Sequence, residues 1–292
     1  MANTITLKRR IGSVRNTRQI TKAMELVAAS KMRRAQDRAR SGRVYREAAY
    51  GLLARLSRMN EAAEHPLFAQ RPVKTKLYVV ISSNRGLAGA YNANILRLLT
   101  HSIQDDHKNR VTTQVIAIGK QAANFVRRLD SVEMIAAYPA FGDEPNANDL
   151  RPLLNTMVEM YTNKSVDSVQ LLYTDFKSNL SQIATKLALL PAQVDTQDQA
   201  NVDQSALDNV TFEPSIEAVL DNVTIRLLEV QLWQAMLESI ASEHSMRMLA
   251  MKSATDNASD LIDDLTLEFN TARQAAITQE LAEITGGAEA IR

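Results

Sequence analysis

The last quarter of this 292-residue chain contains neither proline nor glycine from Ser215 to Thr285. Two interleaved series of every seventh residue run through this stretch, one from Leu220 and one from Val223, and most of their members are apolar or small. A strict seven-residue repeat is typical of a left-handed coiled coil. As one helix the segment would extend for roughly 105 Å at 1.5 Å per residue. Such a length predicts a helix that leaves a compact domain and serves for spacing, bracing or transmitting force.

A second long helix is predicted at the N-terminal end, from about Thr4 to Asn60, where proline is absent and good helix formers are frequent. Its apolar face is less regular than that of the C-terminal helix. We expect this face to contain Ile11, Val14, Ile20, Met24 and Val27, followed by the small residues Ala28, Ala35, Ala39 and Gly42.

Charge indicates that the two helices are partners. Residues 1–58 hold 15 Lys and Arg against 3 Asp and Glu, a net charge of +12, whereas residues 215–292 hold 5 against 13, a net charge of −8. Each helix also has one apolar face to bury. Because the chain leaves the first helix, forms a body and returns, we expect the pairing to be antiparallel.

The middle of the chain alternates strand and helix patterns. Predicted strands cover Lys76–Ser82, Val111–Ile118, Val132–Ala137, Val166–Thr174 and Gln182–Leu190, and predicted helices cover Leu87–Ile103, Lys120–Leu129 and Asp149–Thr162. This alternation favours a mostly parallel sheet flanked by helices. The predicted fold class is therefore α/β, with a central Rossmann-like domain and a long antiparallel coiled coil of the N- and C-terminal helices.

Four segments follow from these patterns. They are an N-terminal coiled-coil helix over residues 1–62, an α/β domain over 75–190, a polar connection over 191–213 and a C-terminal coiled-coil helix over 214–286.

The residue types present give little support for catalysis. The absence of cysteine excludes disulfides, thiolate nucleophiles and cysteine-ligated metals. The four histidines have no metal-ligand spacing, and His244 falls on the apolar seam. No stretch reaches 18 apolar residues, so a membrane-spanning helix is not expected. We expect no catalytic residue, no cofactor and no metal.

Two features nevertheless suggest binding. The loop Ser82–Gly89, between a strand and a helix, could hold a phosphate, but it lacks the GxGxxG and P-loop patterns, and a tight turn is the simpler interpretation. The basic N-terminal helix could bind nucleic acid or an acidic membrane. Because it contains few aromatics and faces an acidic helix of the same chain, we expect acidic protein partners and no nucleic acid.

Particular strings then carry a family resemblance. Residues 11–32 (IGSVRNTRQITKAMELVAASKM), 242–258 (SEHSMRMLAMKSATDNA) and 272–284 (ARQAAITQELAEI) resemble motifs of the gamma subunit of F-type ATP synthases, in the same order. The turn sequence at 83–89 (SNRGLAG) is also similar, whereas residues 100–210 match mainly in layout.

The resemblance implies a central rotor shaft without catalytic activity of its own. Its expected partners are a 3:3 hexamer of alpha and beta subunits, an epsilon subunit and the membrane c-ring, through which membrane association is indirect. The implied location is the cytoplasmic side of the inner (plasma) membrane. Proton or sodium coupling stays open. The alternatives are an unrelated coiled-coil adaptor and a nucleotide-handling enzyme built on the central sheet.

The resemblance also implies individual contacts. Met24, Arg247, Gln274 and Thr278 are expected at the level of the beta catch loops. Phe212 and Glu213 are expected at the c-ring and epsilon end. Simpler alternatives are a seam position for Met24, an exposed cation for Arg247, and a helix start for the segment ending at Pro214.

Overall fold

Two very long helices begin and end the chain, and a five-stranded sheet lies between them in sequence. The computed structural model describes residues 4–56, 65–142, 146–192 and 216–290. Helix α1 spans Thr4–Leu56 and helix α5 spans Ile216–Ala290. Long runs without proline and with good helix formers account for both elements. Helix α5 continues beyond its predicted end at residue 286 and includes Gly286 and Gly287.

The intervening elements alternate as the sequence patterns predict. In chain order they are β1 (Thr75–Ile81), α2 (Tyr91–Lys108), β2 (Thr112–Ile118), α3 (Lys120–Val126), β3 (Glu133–Tyr138), α4 (Ala147–Thr162), β4 (Ser168–Phe176) and β5 (Gln182–Leu190). Helix α4 starts with a capping box, in which the Asn146 side chain accepts the Asn148 amide and the Asp149 side chain accepts the Asn146 amide.

The strand order is β3-β2-β1-β4-β5. The first four strands are parallel to their neighbours, and β5 pairs with β4 in an antiparallel hairpin. A short loop over residues 177–181 makes this possible, since a parallel connection would need a much longer crossover. The predicted α/β class with a mostly parallel sheet is confirmed.

Helices cover both faces of the sheet. On one face α2 and α3 bury Ile95, Leu99 and Ala122 against Tyr78 and Val80 of β1. On the other face the core contains side chains of α4 and of the first part of α5, including Leu153, Met157, Leu228, Leu232 and Met236. Strands covered on both faces are near-continuously apolar, which is why β1 and β2 could be found from sequence.

The predicted start of α2 at Leu87 is wrong by one turn. Leu87 and Gly89 have φ angles of 60° and 53°, which a right-handed helix does not allow, so the helix begins only at Tyr91. The sequence SNRGLAG therefore forms a separate loop between β1 and α2.

Contacts divide the chain into two units. The paired-helix unit contains Met1–Ala29 and Arg247–Arg292, and the sheet unit contains Ser30–Met246. The division falls within α1 and within α5. The four segments predicted from sequence stay a prediction, and Phe212 and Glu213 lie outside the described residues.

Candidate functional site

The paired-helix unit is built on an apolar seam. Leu7 and Ile11 of α1 pack with Ile262 and Leu265 of α5, and Val14, Phe269 and Ala272 extend the cluster. The Thr21 and Thr255 hydroxyls lie 2.8 Å apart. As residue numbers rise along α1, those of their partners fall along α5, so the helices are antiparallel. On α5 the inward positions follow the heptad through Met251, Ala258, Leu265 and Ala272. The predicted antiparallel pairing is confirmed.

The predicted apolar face of α1 is wrong in part. The heptad that faces α5 is Leu7, Val14, Thr21 and Ala28, whereas Ile20 and Val27 are 61% and 54% exposed. Each of these two precedes a seam residue by one position and is therefore turned about 100° around the helix. The sequence pattern predicts the wrong face here because the seam contains Thr21 and Ala28, which are less apolar than the neighbouring Ile20 and Val27. Ile20 and Val27, with Leu26, instead form an exposed apolar strip on α1.

Beyond Ala272, helix α5 has lost the cover of α1. Every residue from Arg273 to Ala288 is exposed. Ile277, Leu281 and Ile284, spaced four and three residues apart, form an exposed apolar stripe on this segment. Exposed apolar side chains aligned on one face of a helix are typical of interaction surfaces.

The four predicted contact residues fall at two levels of the paired-helix unit. The register that sets Thr21 opposite Thr255 also brings half-buried Met24 and half-buried Arg247 to similar heights. Gln274 and Thr278 are exposed on the uncovered segment of α5, roughly 40 Å from Arg247 along the same helix. The Thr278 hydroxyl donates to the Gln274 carbonyl at 2.9 Å. One partner loop therefore cannot contact all four residues.

Hydrogen bonds to other residues of the sheet unit hold the loop that follows β1 in place. The Ser82 hydroxyl donates to the Ile118 carbonyl at 2.9 Å and accepts the Ala122 amide at 2.9 Å. The Asn84 side chain accepts the Ala140 amide at 3.0 Å. A Cβ on Gly119, whose φ is 93°, would lie 2.2 Å from the Ser82 carbonyl oxygen, so the backbones meet closely here. These contacts favour the tight turn over the phosphate site, because the Ser82 hydroxyl and the Asn84 side chain already bond within the protein.

A buried polar cluster that no sequence pattern indicates lies between α2 and the sheet. The Asp106 carboxylate lies 2.5 Å from the Lys76 ammonium and accepts a hydrogen bond from the Tyr78 hydroxyl at 2.7 Å. Burial, followed by the hydrogen bond and negative charge of Asp106, raises the pKa of Tyr78 well above its ordinary value. The cluster joins α2 to the sheet, and it could not be found because its members are far apart in sequence.

The described part of the chain contains neither a candidate metal cluster nor a helix that could cross a membrane. Among those residues, His, Cys, Asp and Glu form no group of three or more that could hold a metal ion. No helix there has an apolar window long enough to cross a membrane.

These features define an α/β protein with two long terminal helices, whose exposed apolar side chains are typical of surfaces that contact a partner. A family model described as ATP synthase matches residues 3–291. The chain is 41% identical over 292 residues to the ATP synthase gamma chain of Acidithiobacillus ferrooxidans, with 100% of both chains covered. It is 42% identical over 291 residues to the ATP synthase gamma chain of Heliobacterium modesticaldum, with 98% of each covered. The chain therefore belongs to the ATP synthase gamma-chain family.

Solved structures agree with this assignment. A chain of the Tetrahymena thermophila mitochondrial ATP synthase central stalk and c-ring matches with a TM-score of 0.62 and 25% identity over 80% of this chain and 99% of that one. A chain of the Euglena gracilis mitochondrial ATP synthase has the same fold, with a TM-score of 0.71 and 18% identity over 99% and 94% of the two chains. The predicted resemblance is confirmed, and the unrelated adaptor is not favoured.

Proposed function

We propose that this chain is the central rotor shaft of an F-type ATP synthase and couples ion-driven rotation of a membrane c-ring to conformational change in an alpha-beta hexamer. The observation that carries the proposal is the end-to-end match with gamma chains, 100% of both chains at 41% identity. A full-length match supports a role for every part of the molecule, including both long helices and the sheet.

The shaft supplies asymmetry to the nucleotide sites of its partners. One shaft cannot present the same face to three equivalent subunits, so each subunit meets a different surface and takes a different affinity. Energy is transferred only through such differences, because contacts that are equal in all states shift no equilibrium. This chain contributes no catalytic residue and binds no cofactor in the proposed role.

The paired-helix unit is suited to turning inside a ring of partners. Its buried seam holds two helices together, which resist twisting better than one helix. The uncovered segment of α5 offers Ile277, Leu281 and Ile284, whose apolar contacts have no fixed direction. An apolar surface of this kind allows rotation without the repeated breaking of strong, directional ion pairs.

The two levels of candidate contact residues suggest two sets of partner loops. Half-buried Met24 and Arg247 would meet beta-subunit loops at one height, where the Arg247 guanidinium favours acidic groups. Exposed Gln274 and Thr278 would offer amide and hydroxyl groups to other segments of the hexamer. Phe212 and Glu213 would lie at the c-ring and epsilon end. The chain would thus be held on the cytoplasmic side of the plasma membrane indirectly, by its partners.

Co-purification with quantitative mass spectrometry tests the proposal. A tagged copy of the full chain should recover two larger ATPase chains in about threefold excess each, as one shaft in a hexamer requires. It should also recover an epsilon subunit and c subunits in detergent. Recovery of the chain alone, or with partners in equal numbers, would favour the structural adaptor.

A further inference from the structure

In open parallel sheets with helices on both faces, ligands bind outside the carboxyl ends of the strands, at the point where the strand order reverses. In this sheet the point lies between β1 and β4. Helix α2, which follows β1, packs on one face, whereas α4, which precedes β4, packs on the other. The strands separate there, because β1 pairs with β4 only as far as Val80 and Leu172, and the Ser82 amide donates to Ile118 of β2 instead.

Helix α5 occupies this point with side-chain hydroxyls. The Thr174 amide, beyond the last pair between β1 and β4, donates to the Ser239 hydroxyl at 3.1 Å. The Ser242 hydroxyl donates to the Thr174 carbonyl at 3.2 Å. The backbone N–H and the backbone carbonyl of Thr174 are therefore both hydrogen-bonded to serines that lie one helical turn apart on α5.

A third serine, Ser245, lies three residues beyond Ser242 on α5. The Ser245 hydroxyl donates to the Asn179 carbonyl at 3.1 Å. The side-chain nitrogen of Gln182 donates to the Ser245 oxygen at 3.2 Å. Ser239, Ser242 and Ser245 are completely buried. Asn179 is also bonded to α1, because its side-chain oxygen accepts a hydrogen bond from the side-chain nitrogen of Gln36 at 3.0 Å. The β4–β5 hairpin is thus bonded to both long helices within the sheet unit.

We propose that Ser239, Ser242 and Ser245 form a force-bearing joint between the β4–β5 hairpin and α5, at the place where related folds bind ligands. Apolar packing alone resists sliding weakly, since it is non-directional, whereas hydrogen bonds fix position along and around the helix. Helix α5, Ile216–Ala290, contributes residues to both units. The serines are positioning residues for rotary coupling, and this role rests on the proposed function.

The joint itself is tested by amide exchange in the isolated chain. Ser239→Ala removes the acceptor of the buried Thr174 amide, so exchange at Thr174 should accelerate by about tenfold or more. Ser242→Ala removes only the donor to the Thr174 carbonyl and should accelerate this amide much less. Ser259→Ala is the matched control, because among the described residues its hydroxyl bonds to Thr255 of its own helix alone, at 3.0 Å. Equal exchange in all three variants would overturn the joint.

The mechanical role is tested in membrane vesicles that contain the whole ATP synthase. In Ser239→Ala/Ser242→Ala the ion gradient sustained at a given rate of ATP hydrolysis should fall by about twofold, while complex content and hydrolysis rate stay unchanged. Ser259→Ala should sustain the wild-type gradient. A wild-type gradient in the double variant would contradict the role. So would a gradient and a hydrolysis rate that fall together with the content of complex. If the double variant does not assemble, the two single variants are measured and judged by the same criterion. Failure of the wild-type chain to enter any ATPase complex would instead contradict the proposed function.

Discussion

At the scale of single residues, Arg71 and Asp167 hold the segment before β1 against the sheet. The Arg71 guanidinium forms an ion pair with Asp167 at 2.8 Å, stacks over the Tyr161 ring at 4.3 Å and donates to the carbonyls of Tyr161 and Val166. The second oxygen of Asp167 accepts the amides of Lys74 and Thr75 at 2.9 and 3.0 Å. One carboxylate therefore fixes the start of the first strand.

The stability given by Asp167 should depend on pH. Burial alone raises the pKa of Asp167, but the amides of Lys74 and Thr75 and the charge of Arg71 outweigh it and hold the pKa below its ordinary value of 3.8. A lowered folded-state pKa stabilises the fold above the ordinary value, and this stabilisation is lost as the pH falls through the folded-state pKa.

Asp167→Asn should therefore lower the free energy of unfolding by about 2 kcal/mol near neutral pH, since an amide nitrogen would face N–H donors. The difference between wild type and variant should shrink below about pH 4. Urea unfolding of both proteins across this range measures it. A difference that does not change with pH would show that the charge of Asp167 is not the cause, and Asp130→Asn, at an exposed position, is the control.

At the scale of elements, the seam between α1 and α5 buries one of two nearby leucines of α5 and leaves the other exposed. Leu265 is 8% exposed and packs in the seam, whereas Leu267, two residues further on, is 71% exposed. Leu265→Ala should lower stability by about 2–3 kcal/mol through lost burial and an imperfectly filled cavity. Leu267→Ala should change it by less than about 0.5 kcal/mol.

Amide exchange of α1 residues 7–14 in the isolated chain measures the two effects locally, since the paired helices need not unfold together with the sheet. The Leu265 variant should lose protection there and the Leu267 variant should keep it. Equal loss in both would mean that the helices pair in another register.

Elements with a strong period were predictable from the sequence. The strands at 75–81 and 112–118 are near-continuous apolar runs, and the α5 heptad stays in phase from Met251 to Ala272. The fifth strand could also be found, and the seven residues between the predicted strands at 166–174 and 182–190 are too few for a parallel crossover, so its antiparallel direction could have been predicted as well.

The features that could not be predicted depend on contacts between distant residues. The sequence predicts the wrong phase for α1, because its seam uses Thr21 and Ala28 while Ile20 and Val27 stay exposed. The family motifs imply contact roles for Met24 and Gln274 but give no distance between the two residues. Ser239 and Ser242 look like ordinary polar helix residues, and their partner, Thr174, lies more than 60 residues earlier in the chain.

At the scale of the whole molecule, the chain presents different surfaces to different partners. The paired-helix unit exposes apolar strips on α1 and α5, and the sheet unit exposes Lys186, the one charged residue of its edge strand β5. In the proposed assembly the first surface would meet the hexamer and the second would not. Since the chain contains no cysteine, a single introduced thiol can report on either surface without competition.

A photoreactive maleimide can therefore locate the hexamer on this chain. Exposed Lys252, on α5 near the level of Met24, and exposed Lys186, on β5, are matched lysines of the two units. In the assembled complex, labelled Lys252→Cys should form an adduct with at most one beta subunit per complex, because one shaft presents this side to one subunit at a time. ATP hydrolysis should fall in proportion to the adduct yield, since a linked shaft cannot turn. Labelled Lys186→Cys should give no beta adduct and keep full hydrolysis. Beta adducts from both positions, or full hydrolysis in the linked Lys252→Cys complex, would contradict rotation of the paired helices inside the hexamer.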